Sequence, residues 1–268
     1  MTSQNAHQII VDAHVHVHDC FNLDALLSAA VQNFNCCVSQ HNSTAVLFFT
    51  EVTGKNYFQK LIADRDKAKL LSKEWSFQRT QENVSLYADN SLRQGIYLMA
   101  GRQIVTQENL EVLALITEQQ FEDGEPLEIT VQKILSAGSI PVIPWGVGKW
   151  IGQRGTFLQD FLATHHFPVL FLGDNGGRPI FWRSPPHFKQ AQAKGWRVLP
   201  GTDPLPLASE ASRPGSFGFT VTGTLSSKKP GQQMKQMLLN PETQLQPYGS
   251  LESPLRFLRN QIAIRFAH

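Results

Sequence analysis

Cysteine is scarce: Cys20, Cys36 and Cys37 are the only three in 268 residues. An odd count with two neighbours in sequence excludes a disulfide framework. The expected compartment is therefore reducing, the cytoplasm, with the three thiols acting as small core residues. Long apolar runs are missing as well. None approaches the roughly 20 residues a membrane span needs, so no membrane is expected as a partner. Met1 to Gln8 are polar and lack the basic, apolar, small-residue order of a signal peptide. Charge is sparse, at 17% of residues with a net +2, and offers no argument for nucleic acid or an anionic membrane. No linker rich in Pro, Gly or Ser divides the chain and no fixed-period repeat is visible, so residues 1–268 are expected to form one domain.

What the chain has is a rhythm. Apolar segments ending in polar tips alternate with amphipathic stretches, the pattern of parallel strands with helical crossovers. Strands are expected at 9–15, 44–51, 95–105, 140–146, 168–175 and 196–203, with 110–116 returning as a hairpin from 95–105. Helices are expected at 23–34, 126–137, 157–164, 184–195, 232–239 and 254–266. The stretch from Ala63 to Asn90 reads as a helix and then short strands. Residues 203 to 229 read as a long loop whose first part lies as a lid across the strand ends. Six or seven such units predict a (β/α) barrel, with the polar tips gathered on one face.

The organising stretch is Val11-Asp12-Ala13-His14-Val15-His16-Val17-His18. In a strand, alternate residues share a face, so the imidazoles point the same way. Converging neutral imidazoles make a site for a divalent ion. Other strand tips end in Glu51, Asp174 and Asp203, and Glu111 stands alone in an apolar run, where an unpaired carboxylate is costly. Gly146 to Gly155 form a glycine-rich cationic loop. Its Lys149 and Arg154, with Arg178, are candidate holders of an anionic group, and Trp145 a candidate wall of the pocket.

The order of these pieces resembles the polymerase and histidinol phosphatase (PHP) family of metal-dependent phosphoesterases. Val11 to His16 look like that family's opening His-x-His strand. Met99 to Ile104 look like its Gly-x-Glu strand, and Leu110 to Leu115 the return that follows. Ser136 to Trp145 look like its helix-Gly-strand, and Gly201-Thr202-Asp203 its closing motif. The resemblance implies a distorted seven-stranded TIM-like barrel and a metal-dependent hydrolase in which activated water attacks a small anionic substrate.

Several of the family's ligands are replaced. Its glutamate is Gln103 here, its hairpin histidine Glu111, and its later histidines fall at Pro144-Trp145 and Leu205. The surviving ligand set is His14, His16, Glu111 and Asp203, with Asp174 or Glu51 in reserve and His18 a further candidate. Those residues suffice for one or two ions of zinc, manganese or iron. Asp203 and Glu111 are the candidate catalytic acids or bases. Two alternatives stay open: an amidohydrolase-type enzyme cleaving C–N or C–O bonds, and a degenerate barrel that only binds an anionic ligand or a protein.

Overall fold

The computed structural model describes residues 7–38, 43–63, 71–182 and 184–266. Part of the helix expected after Ala63 lies outside them. Twelve strands form two sheets. In chain order they are β1 (Gln8–Val15), β2 (Ser43–Phe49), β3 (Trp75–Arg79), β4 (Ser85–Asn90), β5 (Gly95–Met99) and β6 (Gly101–Val105). Then come β7 (Glu111–Leu115), β8 (Ile140–Pro144), β9 (Phe171–Asn175), β10 (Arg197–Gly201), β11 (Phe217–Thr222) and β12 (Gln246–Gly249). The seven-stranded sheet has the order β12-β11-β1-β2-β5-β4-β3, and the five-stranded one β10-β9-β8-β7-β6.

The expected closed barrel is corrected by this topology. Over Gln8–Val11, β1 pairs with β2 along one edge and with β11, antiparallel, along the other. No edge of β1 is left there for β10 to close the ring. The strand that takes the place, Phe217–Thr222, falls inside the stretch read as loop. Gly218 hides it in the sequence, yet the segment is aromatic and β-branched, as strands are. At the other end, Ala100 breaks the expected long strand 95–105. Its first half pairs with β2 and β4, and its second half with β7. One run of chain thus belongs to both sheets.

Three apolar layers hold the elements. Helix Leu23–Cys37 buries Leu26, Leu27, Ala30 and Phe34, at helical spacing, against Phe49 and Leu98 of the larger sheet. Ile9, Val11, Phe48, Met99, Leu113 and Phe219 fill the space shared by the two sheets. Helices Leu127–Ser136, Gly152–Thr164 and Pro186–Ala193 cover the outer face of the smaller sheet through Val131, Leu158, Leu162 and Phe188. The cysteines are not core residues. All three are exposed, because Cys36 and Cys37 end their helix on its outer side and Cys20 sits in a turn. Among the described residues no helix is long and apolar enough to cross a membrane.

The two sheets meet where the site lies. The end of β10 runs beside the end of β1 so closely that a Cβ on Gly201 would stand 2.5 Å from the His14 nitrogen. Only glycine permits that approach. Asp12 then fastens the junction. Its Oδ1 accepts from the backbone N–H of Thr202 (2.9 Å) and His14 (3.2 Å). Its Oδ2 accepts from the Thr202 hydroxyl (2.6 Å) and the Gly215 N–H (2.8 Å). Burial pushes its carboxyl up to about 6, against the pull of these donors.

Candidate metal centre

His14 and His16 leave the end of β1, and Asp203 follows β10 with a positive φ of 45°. The Asp203 N–H donates to the His14 carbonyl at 2.8 Å, which hooks the aspartate beside the imidazoles. His14 Nε2 lies 3.0 Å from His16 Nε2. Asp203 Oδ1 is 3.5 Å from the first and 3.3 Å from the second. Gln103 Oε1 is 3.2 Å from His14 Nε2. Three ligand atoms, one each from His14, His16 and Asp203, therefore cluster, with the Gln103 oxygen beside the first. Ligands about 2.1 Å from an ion stand roughly 3.0–3.4 Å apart at neighbouring corners of an octahedron or tetrahedron. The two imidazoles and the carboxylate form a candidate metal group, and the spacings fit a divalent ion.

Electrostatics agree with that reading. Burial depresses His14 to about 4, and neighbouring Asp203 only partly offsets it, so its imidazole is neutral at pH 7. Burial also works against charge on His16, but hydrogen bonding and attraction to Asp203 outweigh it and its pKa rises. A hydrogen bond to the Thr50 backbone further holds His16. Asp203 is desolvated, yet the two histidines keep its carboxyl well below the usual range.

Other groups orient these. Asn175 Oδ1 accepts from the Gly177 N–H at 2.6 Å, which turns its Nδ2 toward Asp203 Oδ2. That bond leaves Oδ1 of the aspartate facing the imidazoles. Gln103 donates through Nε2 to Glu111 Oε1 at 3.2 Å, so its carbonyl oxygen must point at His14. Lys149 Nζ is paired with Glu111 Oε1. The group lies in a cavity of about 530 Å³ whose walls include Trp145, Lys149, Asn175 and Glu111. His18 stands at its rim and meets the Pro204 carbonyl at 2.9 Å rather than joining the group.

Several predicted site residues are placed elsewhere. Glu111 reaches the cavity but is held by Gln103 and Lys149. Arg178 turns away and forks onto Asp174, with both bonds at 2.8 Å, and its third donor meets the Trp182 carbonyl. Arg154 belongs to helix Gly152–Thr164 rather than to a loop, and binds the carbonyls of Gly148 and Asn109. Glu51 accepts from Phe58 N–H at 2.7 Å and pairs with Arg102 at 3.0 Å. Asp174 and Asn175 exchange roles for a simple reason: adjacent residues of a strand face opposite ways. The sequence marks Gln103 as the position of the family's glutamate but gives a neutral amide no ligand role, and for Asn175 a polar residue at a strand tip is the one sign available.

A candidate metal centre at strand ends in a two-sheet α/β fold is the class these features define. No family model matches the sequence, and no curated protein matches it. Among solved structures the chain is similar to PsfC from Pseudomonas syringae PB-5123, with a TM-score of 0.56, 13% identity, and coverage of 97% of this chain and 99% of that one. It is also similar to the lesion-specific endonuclease PfuEndoQ from Pyrococcus furiosus, with a TM-score of 0.53, 7% identity, and coverage of 89% and 57%. An Endonuclease Q complex with a 27-mer duplex substrate matches at a TM-score of 0.46, 10% identity, and 87% and 56% coverage. The chain thus spans little more than half of either endonuclease. Endonuclease Q is a PHP-family member, and the likeness at such identities is one of fold. The expectation of a small anionic partner and no nucleic acid is withdrawn, since PfuEndoQ, which is similar in fold, is a lesion-specific endonuclease. The exclusion of nucleic acid rested on net charge, which averages over the whole surface and says nothing of one cavity.

Proposed function

We propose that the chain is a metal-dependent hydrolase, acting as one domain over residues 1–268, with its ion on His14, His16 and Asp203. The observation that carries the reading is the convergence of two imidazole nitrogens and a carboxylate oxygen, 3.0–3.5 Å apart, at a cavity, with the Gln103 carbonyl 3.2 Å from His14. Mixed nitrogen and oxygen donors suit zinc, manganese or iron. Such an ion supplies Lewis acidity and lowers the pKa of water. The chain's own groups then have separate work. Neutral His14 offers its lone pair without first losing a proton. Asn175 fixes the aspartate, and Glu111 fixes the Gln103 amide. Lys149 keeps a cation at the wall, where a phosphoryl oxygen would gain from it. Of the acids lining the cavity, Asp203 belongs to the ligand group and Glu111 adjoins it through Gln103, which makes them the candidates for proton transfer. The ligands come from both sheets, which is why the two act as one unit.

Phosphodiesters are the reaction class to test first, and those of nucleic acids lead, because the similar structures named for an activity are endonucleases. Protein purified without chelator is expected to carry about one equivalent of transition metal. The His14→Ala, His16→Ala double variant is expected to carry none and to remain folded. Metal-dependent cleavage of a lesion-bearing oligonucleotide, lost in Asp203→Asn, supports the reading. No binding of zinc, manganese or iron under any loading condition overturns it.

A further inference from the structure

Helix Pro254–Phe266 is turned inside out. Its inward side carries Asn260, buried, whose Nδ2 donates to Glu210 Oε1 at 3.1 Å. Arg256 donates to the same oxygen at 3.0 Å. Glu210 and Glu252 both pair with buried Arg213, so this side rests on a closed ionic network. Phe257, Gln261 and Ile264 complete the inward arc and wall the cavity. Four other apolar residues look the other way. Leu255 is 84% exposed and Phe266 86%, with Leu258 and Ile262 exposed between them.

At 3.6 residues per turn these four fall within an arc of roughly 80°. Arg259 and Arg265 stand at its two flanks, both exposed. The helix contains no Asp or Glu. Phe181, itself exposed, packs edge-on against inward Phe257 with ring centroids 5.9 Å apart and so lies off this stripe. The Asn260 and Arg256 bonds fix the rotation of the helix about its axis, so the oily stripe cannot turn inward.

Charge decides what covers this face. A second copy would set Arg259 and Arg265 against an identical pair with no carboxylate on the helix to answer them. A nucleic acid offers phosphates to the arginines but nothing to the leucine, isoleucine and phenylalanine side chains. An anionic lipid surface meets both needs, with the headgroup boundary taking the apolar stripe and its phosphates the flanking guanidiniums. We propose that the outward face of helix Pro254–Phe266 docks the protein on an anionic membrane surface, the helix lying in the plane of the interface. The sequence argument against a membrane partner addressed spanning segments and overall net charge, whereas this helix would lie on the bilayer without crossing it and uses a local pair of arginines.

The test uses the full chain and sedimentation with vesicles. Binding is expected to vesicles of mixed phosphatidylcholine and phosphatidylglycerol, not to phosphatidylcholine alone, and to weaken as salt rises. The double variant Leu258→Asp, Ile262→Asp should bind roughly tenfold more weakly or less, as should Arg259→Glu with Arg265→Glu. These side chains are exposed, and circular dichroism checks that the variants fold. Absence of binding to mixed vesicles overturns the proposal, as does undiminished binding by the aspartate variant. Light scattering and a labelled duplex run in parallel. If the aspartate variant instead turns a dimer into a monomer, or abolishes duplex binding by a wild type that ignores vesicles, the face belongs to that other partner.

Discussion

Replacing Asp12 with alanine tests how the site is assembled. Asp12 is fully buried and accepts from three backbone N–H groups and one hydroxyl. Alanine leaves the N–H groups of Thr202 and Gly215 inside the protein with no acceptor, and that of His14 nearly so. The Thr202 hydroxyl can turn to the His14 carbonyl, 3.5 Å away, so it adds little to the loss. Each stranded buried donor costs about 1–3 kcal/mol, which for two or three of them sums to roughly 3–6 kcal/mol. A domain has only about 5–15 kcal/mol to lose. With a urea slope of roughly 3 kcal/mol per M, the midpoint should fall by about 1–2 M. Fluorescence of the five tryptophans reports the transition. Thr202→Val removes the hydroxyl bond alone and should cost about 1–2 kcal/mol. Metal affinity should drop in Asp12→Ala, because the carboxylate is what brings the end of β10 against β1. An Asp12→Ala protein within about 1 kcal/mol of wild type, or one that binds metal unchanged, would refute the idea that this carboxylate joins the two sheets.

Two other changes separate structure from chemistry. Arg178→Lys breaks the fork on Asp174 and the contact with the Trp182 carbonyl, so it should cost about 2 kcal/mol of stability and leave metal affinity unchanged. Altered metal or substrate binding at full stability would return Arg178 to the site. Burial raises the Glu51 carboxyl above its ordinary 4.5 despite the Phe58 N–H and the Arg102 guanidinium. Native Glu51 therefore takes up its proton at a higher pH than the unfolded chain does. The stability linked to it is fully present below pH 4.5 and is lost as pH rises through the native value. Subtracting the urea midpoints of Glu51→Gln from those of wild type across this range isolates that slope, and a flat difference would contradict the burial argument.

Periodicity made some of this legible and could not reach the rest. Alternation of His14 and His16 after an apolar run announces a strand with both imidazoles on one side, and Thr202-Asp203 closes the last strand of the crossover series. Those are local patterns. Arg102 with Glu51 and Lys149 with Glu111 look in sequence like free charges awaiting a ligand, because no local pattern names a partner from another element. Lys149 and Glu111 are 38 positions apart and Arg102 and Glu51 are 51 apart, distances over which spacing carries no information. The same blindness produced the barrel. Counting strand–helix units misses strands that lack a crossover helix and does not say which edge each strand occupies. A short glycine-bearing segment, Phe217–Thr222, was enough to fill the edge that closure required. The helix at 254–266 was visible as a helix, but the ionic network that dictates which side faces outward lies in Glu210, Arg213 and Glu252.

The run from Gly95 to Val105 crosses from one layer to the other at Ala100, with its amides committed to different neighbours on either side of that residue. It is a stitch through two pieces of cloth. Peeling away the smaller layer drags on the thread that holds the larger one. A molecule sewn in this manner has no comfortable half-open form, and its ion-binding corner survives or disappears together with the whole.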